Sequence, residues 1–234
     1  MNEPQDTLRR LLQSGTDSTP ALNGLLHDYA KYHAVLVVVG GAFVAGFLVL
    51  SAFSWRRFRR APKPGGRRWT FERRTFLFFA TASLVLGGML ALVVAANLSN
   101  ALAPRHGFAA AVDTIGTPGR GTPMAQLHEA FTTWLRSGGS QRPALVQSRI
   151  DDRLAWQRPK AIICAVLLAV LAVLGARIWR RLVRTSRARR PTGRDRALLA
   201  AGVGTGLACL LLVVMVVANT QACLAPLTMT LLFG

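Results

Sequence analysis

The residues in this sequence that could do chemistry are few and poorly arranged for it. Its four histidines do not have the spacing of a zinc site. They are His27, His33, His106 and His128. The carboxylates of Asp151 and Asp152 are adjacent, but neighbouring side chains on a helix point in different directions, which disfavours acid–base catalysis or a shared metal. The sequence also has no nucleophile elbow, phosphate-binding glycine loop or Cys-x-x-Cys pair. We therefore expect no catalytic residue, no metal site and no cofactor.

Two asparagines and two cysteines are the remaining candidates. Asn97 and Asn219 occupy equivalent positions before a Leu-Ala-Pro sequence, so they could line a shared ligand-binding pocket. The alternative is a purely structural role, because asparagine and a following proline are typical of a helix end. Cys164 and Cys223 are predicted near the same membrane face and could form a disulfide.

Four apolar stretches must position these residues. They are Ala34–Trp55, Phe76–Asn97, Ala161–Ile178 and Ala197–Asn219. Each is long enough to cross a bilayer, which takes about 20 residues. Apart from cysteine, their only ionisable side chain is that of Arg177, and this lack of buried charge argues against a proton relay or an ion-coupled carrier. The sequence predicts an all-α, polytopic membrane protein with four transmembrane helices.

The charge distribution predicts the orientation in the membrane. The net charge is +19, and Arg56–Thr75 and Arg177–Arg196 each carry nine basic residues and one acidic residue. Short loops rich in arginine and lysine stay in the cytoplasm, so both termini are expected outside it. The three lysines beside 26 arginines suggest a bacterial origin, which makes the inner (plasma) membrane the expected location.

The same basic loops are candidate contacts for anionic phospholipids. Basic residues near an anionic membrane surface each contribute about 1 kcal/mol. The candidates are Arg56, Arg57, Arg60, Arg180, Arg181 and Arg184. The alternative is that these residues only set the topology, and nucleic acid is not an expected partner.

The two halves of the chain resemble each other at an offset near 123 residues. Leu12–Asp28 matches Leu135–Asp151 at seven of seventeen positions, including serine, glycine, proline and aspartate. Because two spans return the chain to the same side, the copies must be parallel. We predict repeat 1 over residues 1–104, a flexible glycine- and proline-containing linker over 105–123, and repeat 2 over 124–234.

Each repeat is predicted to begin with a short extracytoplasmic amphipathic helix. Apolar residues with helical spacing form one stripe in each half. The stripes are Leu22, Leu25, Leu26 and Tyr29, and Met124, Leu127, Phe131 and Trp134. These faces are expected to lie in the membrane interface, to dock on the spans or to bind an external partner.

Small residues four positions apart within the spans predict close helix packing. The pairs are Ala42 with Gly46 and Gly202 with Gly206. Such pairs let helix backbones approach closely, within one chain or between chains.

Together these features favour a non-catalytic accessory or scaffold subunit of a bacterial membrane complex. Other membrane-protein subunits, or further copies of this chain, are the expected partners. The alternative is a transporter component or a lipid-handling protein with an outer-leaflet site at Asn97 and Asn219. A third alternative is an extracytoplasmic envelope-modifying enzyme that uses Asp151, Asp152 or His128.

Overall fold

The described part of the protein is almost entirely helical. The computed structural model describes residues 3–13, 19–61, 70–116, 118–119, 121–188 and 193–233; 91% of these residues are helical, and none of them lies in a strand. The helices are α1 (Glu3–Gln13), α2 (Pro20–Val35), α3 (Gly41–Arg60), α4 (Phe71–Leu102), α5 (Pro104–Val112), α6 (Pro123–Ser137), α7 (Ala144–Ala188), α8 (Gly193–Leu224) and α9 (Pro226–Phe233), and a π-helical stretch, Leu36–Gly40, joins α2 to α3. The predicted all-α fold is confirmed.

Four helical segments are long and apolar enough to cross a membrane. They are Pro20–Arg60, Phe71–Leu102, Ala144–Ser186 and Gly193–Leu224. The most apolar part of each has a mean hydropathy between 2.3 and 2.7, and each segment contains one of the four predicted stretches. The centres of both predicted basic loops, residues 62–69 and 189–192, lie outside the described residues.

The helix bounds recur along the chain. α4 and α8 are both 32 residues long, and both their first and last residues are 122 positions apart (71 to 193 and 102 to 224). Two residues after the end of each of them a short helix begins at a proline, Pro104 or Pro226. In the long helical segments that precede them, the π-helical stretch begins at Leu36, and Pro159 lies 123 positions later inside α7. These bounds recur at nearly the offset of the sequence repeat, and the duplication itself stays a prediction.

The chain forms two compact units, and each unit draws on both halves of the sequence. Unit 1 contains Met1–Val38, Val94–Ala161 and Val217–Gly234, and unit 2 contains Val39–Val93 and Ile162–Val216. In unit 1, α1 packs on α6 and α2 packs on α9. The compact units therefore cut across the predicted repeats, because helices from one half pack against helices from the other.

Unit 1 has a hydrophobic core made by its short helices and α2. The side chains at its centre are at most 1% exposed. They include Leu8 of α1, Leu25 of α2, Phe108 of α5, Phe131 of α6 and Leu227 of α9. The two predicted amphipathic stripes belong to this one core. Their side chains lie in it beside those of α1, α5 and α9, and the three arrangements expected from the sequence stay predictions.

Much of the segment predicted as a flexible linker is a packed helix. Phe108 and Val112 of α5 are fully buried and Ile115 is 4% exposed. The Gln5 side chain amide donates to the carbonyl oxygens of Val112 (3.1 Å) and Ile115 (2.7 Å). Six of the nineteen residues 105–123 are glycine or proline, but the apolar side chains four positions apart in α5 pack into the core of unit 1.

Unit 2 contains close helix contacts at glycines. A Cβ atom added at Gly87 would lie 3.1 Å from Phe47, and one added at Gly202 would lie 3.2 Å from Trp179. Trp179 in turn packs edge-on against Phe79, with 4.8 Å between the ring centroids. Any side chain at these glycines would have to displace its neighbour.

Candidate functional site

Asp28 is the most distinctive charged residue of unit 1. It lies on α2, is 9% exposed, and its Oδ2 accepts a hydrogen bond of 2.7 Å from the backbone N–H of Thr228. Thr228 is the third residue of α9, so its N–H is one of those that a helix cannot satisfy internally. Ala225, just before α9, has no side-chain acceptor. Asp28 therefore caps α9 from another helix, where its negative charge also favours the helix dipole.

The sequence counterpart of Asp28 has different surroundings. Asp151 is exposed, and its Oδ1 accepts a hydrogen bond of 3.0 Å from the side-chain amide of Gln147, one turn earlier on α7. The neighbouring Asp152 is also exposed. Of the two equivalent carboxylates, that of Asp28 is buried in unit 1 and that of Asp151 is exposed.

Asn97 contacts a histidine at the end of α2. The Asn97 Oδ1 lies 2.6 Å from Nδ1 of His33, which is 7% exposed. Because the Asn97 amide oxygen faces the ring, His33 Nδ1 carries the proton and donates the hydrogen bond. The other ring nitrogen, Nε2 of His33, is buried and has no hydrogen-bond partner in the described part of the chain. The ring also packs edge-on against Tyr29, with 4.4 Å between centroids.

The end of α8 contacts the same helix. Asn219 and Gln221 are 6% and 5% exposed, and the Gln221 amide donates to the carbonyl oxygen of Tyr32 at 3.0 Å. In a regular α-helix the backbone N–H of Leu36 would donate to the carbonyl oxygen of Tyr32. Here, at the start of the π-helical stretch, the N–H of Leu36 donates to the carbonyl oxygen of His33 instead. Gln221 thus supplies a donor where the helix is irregular. Ligand binding by Asn97 and Asn219 stays a prediction, while these contacts fit the structural role.

His27 and His128 have different surroundings. The part of the chain that the structure describes contains no group of three potential metal-ligating side chains. His27 is exposed, whereas His128 on α6 is 6% exposed and its Nδ1 has no described partner. Burial disfavours the charged imidazolium and lowers the pKa of His128 below its usual value.

The three cysteines are free thiols in the structure. Cys164 lies in α7, and Cys209 and Cys223 lie in α8. The disulfide between Cys164 and Cys223 stays a prediction.

The predicted packing residues of unit 2 fall into two groups. Gly202 lies against Trp179, whereas added Cβ atoms at Gly46 and Gly206 would have no atom within 4 Å. Ala42, one turn before Gly46 on α3, is exposed as well. Three of these four positions therefore face away from the helices of their own chain.

The arginines proposed for lipid contact are all exposed in unit 2. They are Arg56, Arg57, Arg60, Arg180, Arg181 and Arg184. The guanidinium of Arg57 lies 5.3 Å from the centroid of the Phe53 ring, which is a cation–π distance. Arg180, Arg181 and Arg184 instead line an open groove of about 480 Å³ together with Arg177 and Thr185. Sequence reasoning missed Arg177, because only its position at the end of a span was considered.

The fold and these surfaces define an all-α polytopic membrane protein with four helices that can cross a bilayer. Comparison with protein-family models, with curated proteins and with solved structures gives no match for this chain.

Proposed function

We propose that the protein is a non-catalytic, multi-pass accessory subunit of the bacterial inner membrane that assembles with other membrane proteins through its spanning helices. The main support is the surface that these helices leave uncovered. In the most apolar window of each one, only 11%, 17%, 0% and 6% of the residues are buried by the protein itself. Lipid or other helices must cover the remainder.

The small residues on this surface favour helices over lipid alone. Ala42 and Gly46 form an exposed notch on α3, and Gly206 is an open position on α8. Association inside a bilayer depends on van der Waals packing, so close backbone approach at small residues is a main source of affinity. A partner helix gains contacts at such a notch that a mobile acyl chain does not.

In this proposal unit 1 lies outside the cytoplasm together with both termini. The arginine-rich segments of α3 and α7 lie in unit 2, and the positive-inside rule assigns such segments to the cytoplasm. Unit 1 has a hydrophobic core of its own, so it can hold its shape outside the membrane. It would present a fixed surface to extracytoplasmic parts of the same complex.

A matched pair of substitutions on α3 tests the assembly role. Ala42→Leu fills the notch beside Gly46. Ala52→Leu adds the same volume at another exposed position of α3, where the residues one turn away are Leu48 and Arg56. Overpacking an interface costs about 1–3 kcal/mol, roughly a 5- to 150-fold loss of affinity. We expect Ala42→Leu alone to reduce recovery of a partner protein in quantitative co-purification from native membranes; equal recovery with both variants would contradict the proposal.

A second candidate function rests on the buried polar groups of unit 1. His33 Nε2 and the hydroxyl of Thr230 are buried without a partner in the described part of the chain, and buried polar atoms normally have one. A transporter component or lipid-handling protein could offer them to a polar ligand near the outer leaflet. Asn97→Ala should then abolish ligand retention while the protein accumulates normally, whereas unchanged retention would dismiss this candidate.

A further inference from the structure

Four arginines lie on one face of α7, just beyond its apolar part. Arg177, Arg180, Arg181 and Arg184 are spaced i, i+3, i+4 and i+7, which places them within an arc of about 100° on a helix. Together with Thr185 they line an open groove of about 480 Å³. We call this surface the arginine groove.

The opposite face of α7 is held by packing within unit 2. Leu182 is 4% exposed. Ile178 and Trp179 pack against Gly202 of α8, where an added Cβ atom would lie 3.2–3.3 Å from their side chains. α7 therefore cannot rotate to hide the arginines without breaking these contacts. The arginine-bearing face of α7 is consequently turned away from the helices of unit 2, and its four arginines are exposed.

The charge of the arginine groove is not neutralised by the described residues. None of its four guanidinium groups forms an ion pair or a hydrogen bond with them. Asp195, the only acidic residue of Arg177–Arg196, lines a neighbouring hollow with Thr185 and Arg196. Four like charges on two helical turns repel one another, and a bound anion would relieve that repulsion.

We propose that the arginine groove binds the phosphate of an anionic phospholipid headgroup. A guanidinium group can donate two parallel hydrogen bonds to two oxygens of one phosphate, and a lysine ammonium group cannot. The groove begins where the apolar stretch of α7 ends, beside Trp179, and this is the depth at which headgroups lie. Basic pockets at such positions are suited to lipid phosphates.

The corresponding face of α3 provides an internal control. Arg56, Arg57 and Arg60 have the spacing of Arg180, Arg181 and Arg184, but Phe53 takes the place of Arg177. The Arg57 guanidinium lies over that phenylalanine ring. The α3 face thus has one charge fewer, and one of its arginines is already engaged.

The test compares two double variants of the full-length protein in a neutral detergent. Arg180→Gln with Arg184→Gln removes two charges from the arginine groove, and Arg56→Gln with Arg60→Gln removes two charges with the same spacing from α3. Native mass spectrometry is used to titrate each protein with dioleoylphosphatidylglycerol, with dioleoylphosphatidylcholine as the zwitterionic comparison. A third variant, Arg177→Phe, gives α7 the aromatic residue found in α3.

We expect the wild-type protein to retain one phosphatidylglycerol in preference to phosphatidylcholine. Each basic residue near the lipid contributes a factor of about five, so the α7 double variant should bind about 30-fold more weakly and Arg177→Phe about fivefold more weakly. The α3 double variant should change by less than about threefold. Equal losses in the two double variants, or equal binding of both lipids, would overturn the proposal. Displacement of the lipid by inorganic phosphate at the same concentration would show a free-phosphate site instead and overturn the assignment to lipid.

Discussion

Replacing Asp28 by alanine should loosen α9 while the spanning helices stay unchanged. The substitution removes the only hydrogen bond that the structure gives to the backbone N–H of Thr228, and that N–H lies in a buried environment. Losing a helix cap costs about 0.5–2 kcal/mol, and an unsatisfied buried donor costs about 1–3 kcal/mol. Water can partly replace the cap once α9 moves. We therefore expect the free energy of opening α9 to fall by about 1–2 kcal/mol, which is a 5- to 30-fold change in the opening equilibrium.

Hydrogen–deuterium exchange of the full-length protein in detergent micelles measures this change directly. Peptides that cover Pro226–Phe233 should exchange 5- to 30-fold faster in Asp28→Ala than in the wild type, since exchange follows local opening. Asp28→Asn keeps an acceptor oxygen and should have a smaller effect. Asp151→Ala is the matched control, because this counterpart is exposed and surface changes stay within about 0.5 kcal/mol. Unchanged exchange of α9 in Asp28→Ala, or equal acceleration in Asp151→Ala, would refute the capping role.

Two further predictions concern packing and pH. Gly202→Val should destabilise the protein by about 1–3 kcal/mol, because the Cβ atom of the new side chain would lie 3.2 Å from Trp179. Gly204→Val is the control, because a Cβ atom there has open space. Thermal unfolding followed by tryptophan fluorescence should give a lower melting temperature for Gly202→Val, and equal melting temperatures would contradict the packing. Burial lowers the pKa of His128, so the unfolded chain binds the proton more readily and stability should fall as the pH decreases below about 6.5. His128→Gln should flatten this dependence in acid-unfolding curves, and an unaltered pH profile would show that another group is responsible.

The spanning helices were predictable because a bilayer imposes a simple requirement on sequence. About 20 apolar residues are needed whatever the tertiary structure, and all four predicted stretches lie inside helices of the structure. The ends of α4 and α8 were also predictable, since a proline two residues later stops each helix at Leu102 or Leu224. These features depend only on local sequence.

The packing of unit 1 was not predictable in the same way. The two apolar stripes showed which faces of α2 and α6 would be buried, but not that both would enter one core together with α1, α5 and α9. The burial of α5 was hidden by the glycines and prolines around it. A contact such as that between His33 and Asn97 joins residues 64 positions apart, and neither residue type nor spacing identifies such a pair.

The equivalent carboxylates show most clearly where sequence reasoning ends. Asp28 and Asp151 occupy matching positions in the two copies of a conspicuous sequence block. One caps α9 at a buried site, while the other accepts a hydrogen bond from a neighbour on its own helix at the surface. Their roles differ because α9 packs on α2, and that choice is made by the tertiary structure.

The proposed accessory role is tested most directly by native mass spectrometry of the tagged protein, gently extracted from its own membrane. We predict a discrete complex in which this chain and at least one different membrane protein are present in fixed stoichiometry. Extraction conditions that preserve annular lipid are needed, because partner contacts through spanning helices are sensitive to detergent. Recovery of the chain alone or only as a homo-oligomer, with a defined small molecule or lipid bound in unit 1, would contradict the accessory role and support transport or lipid handling.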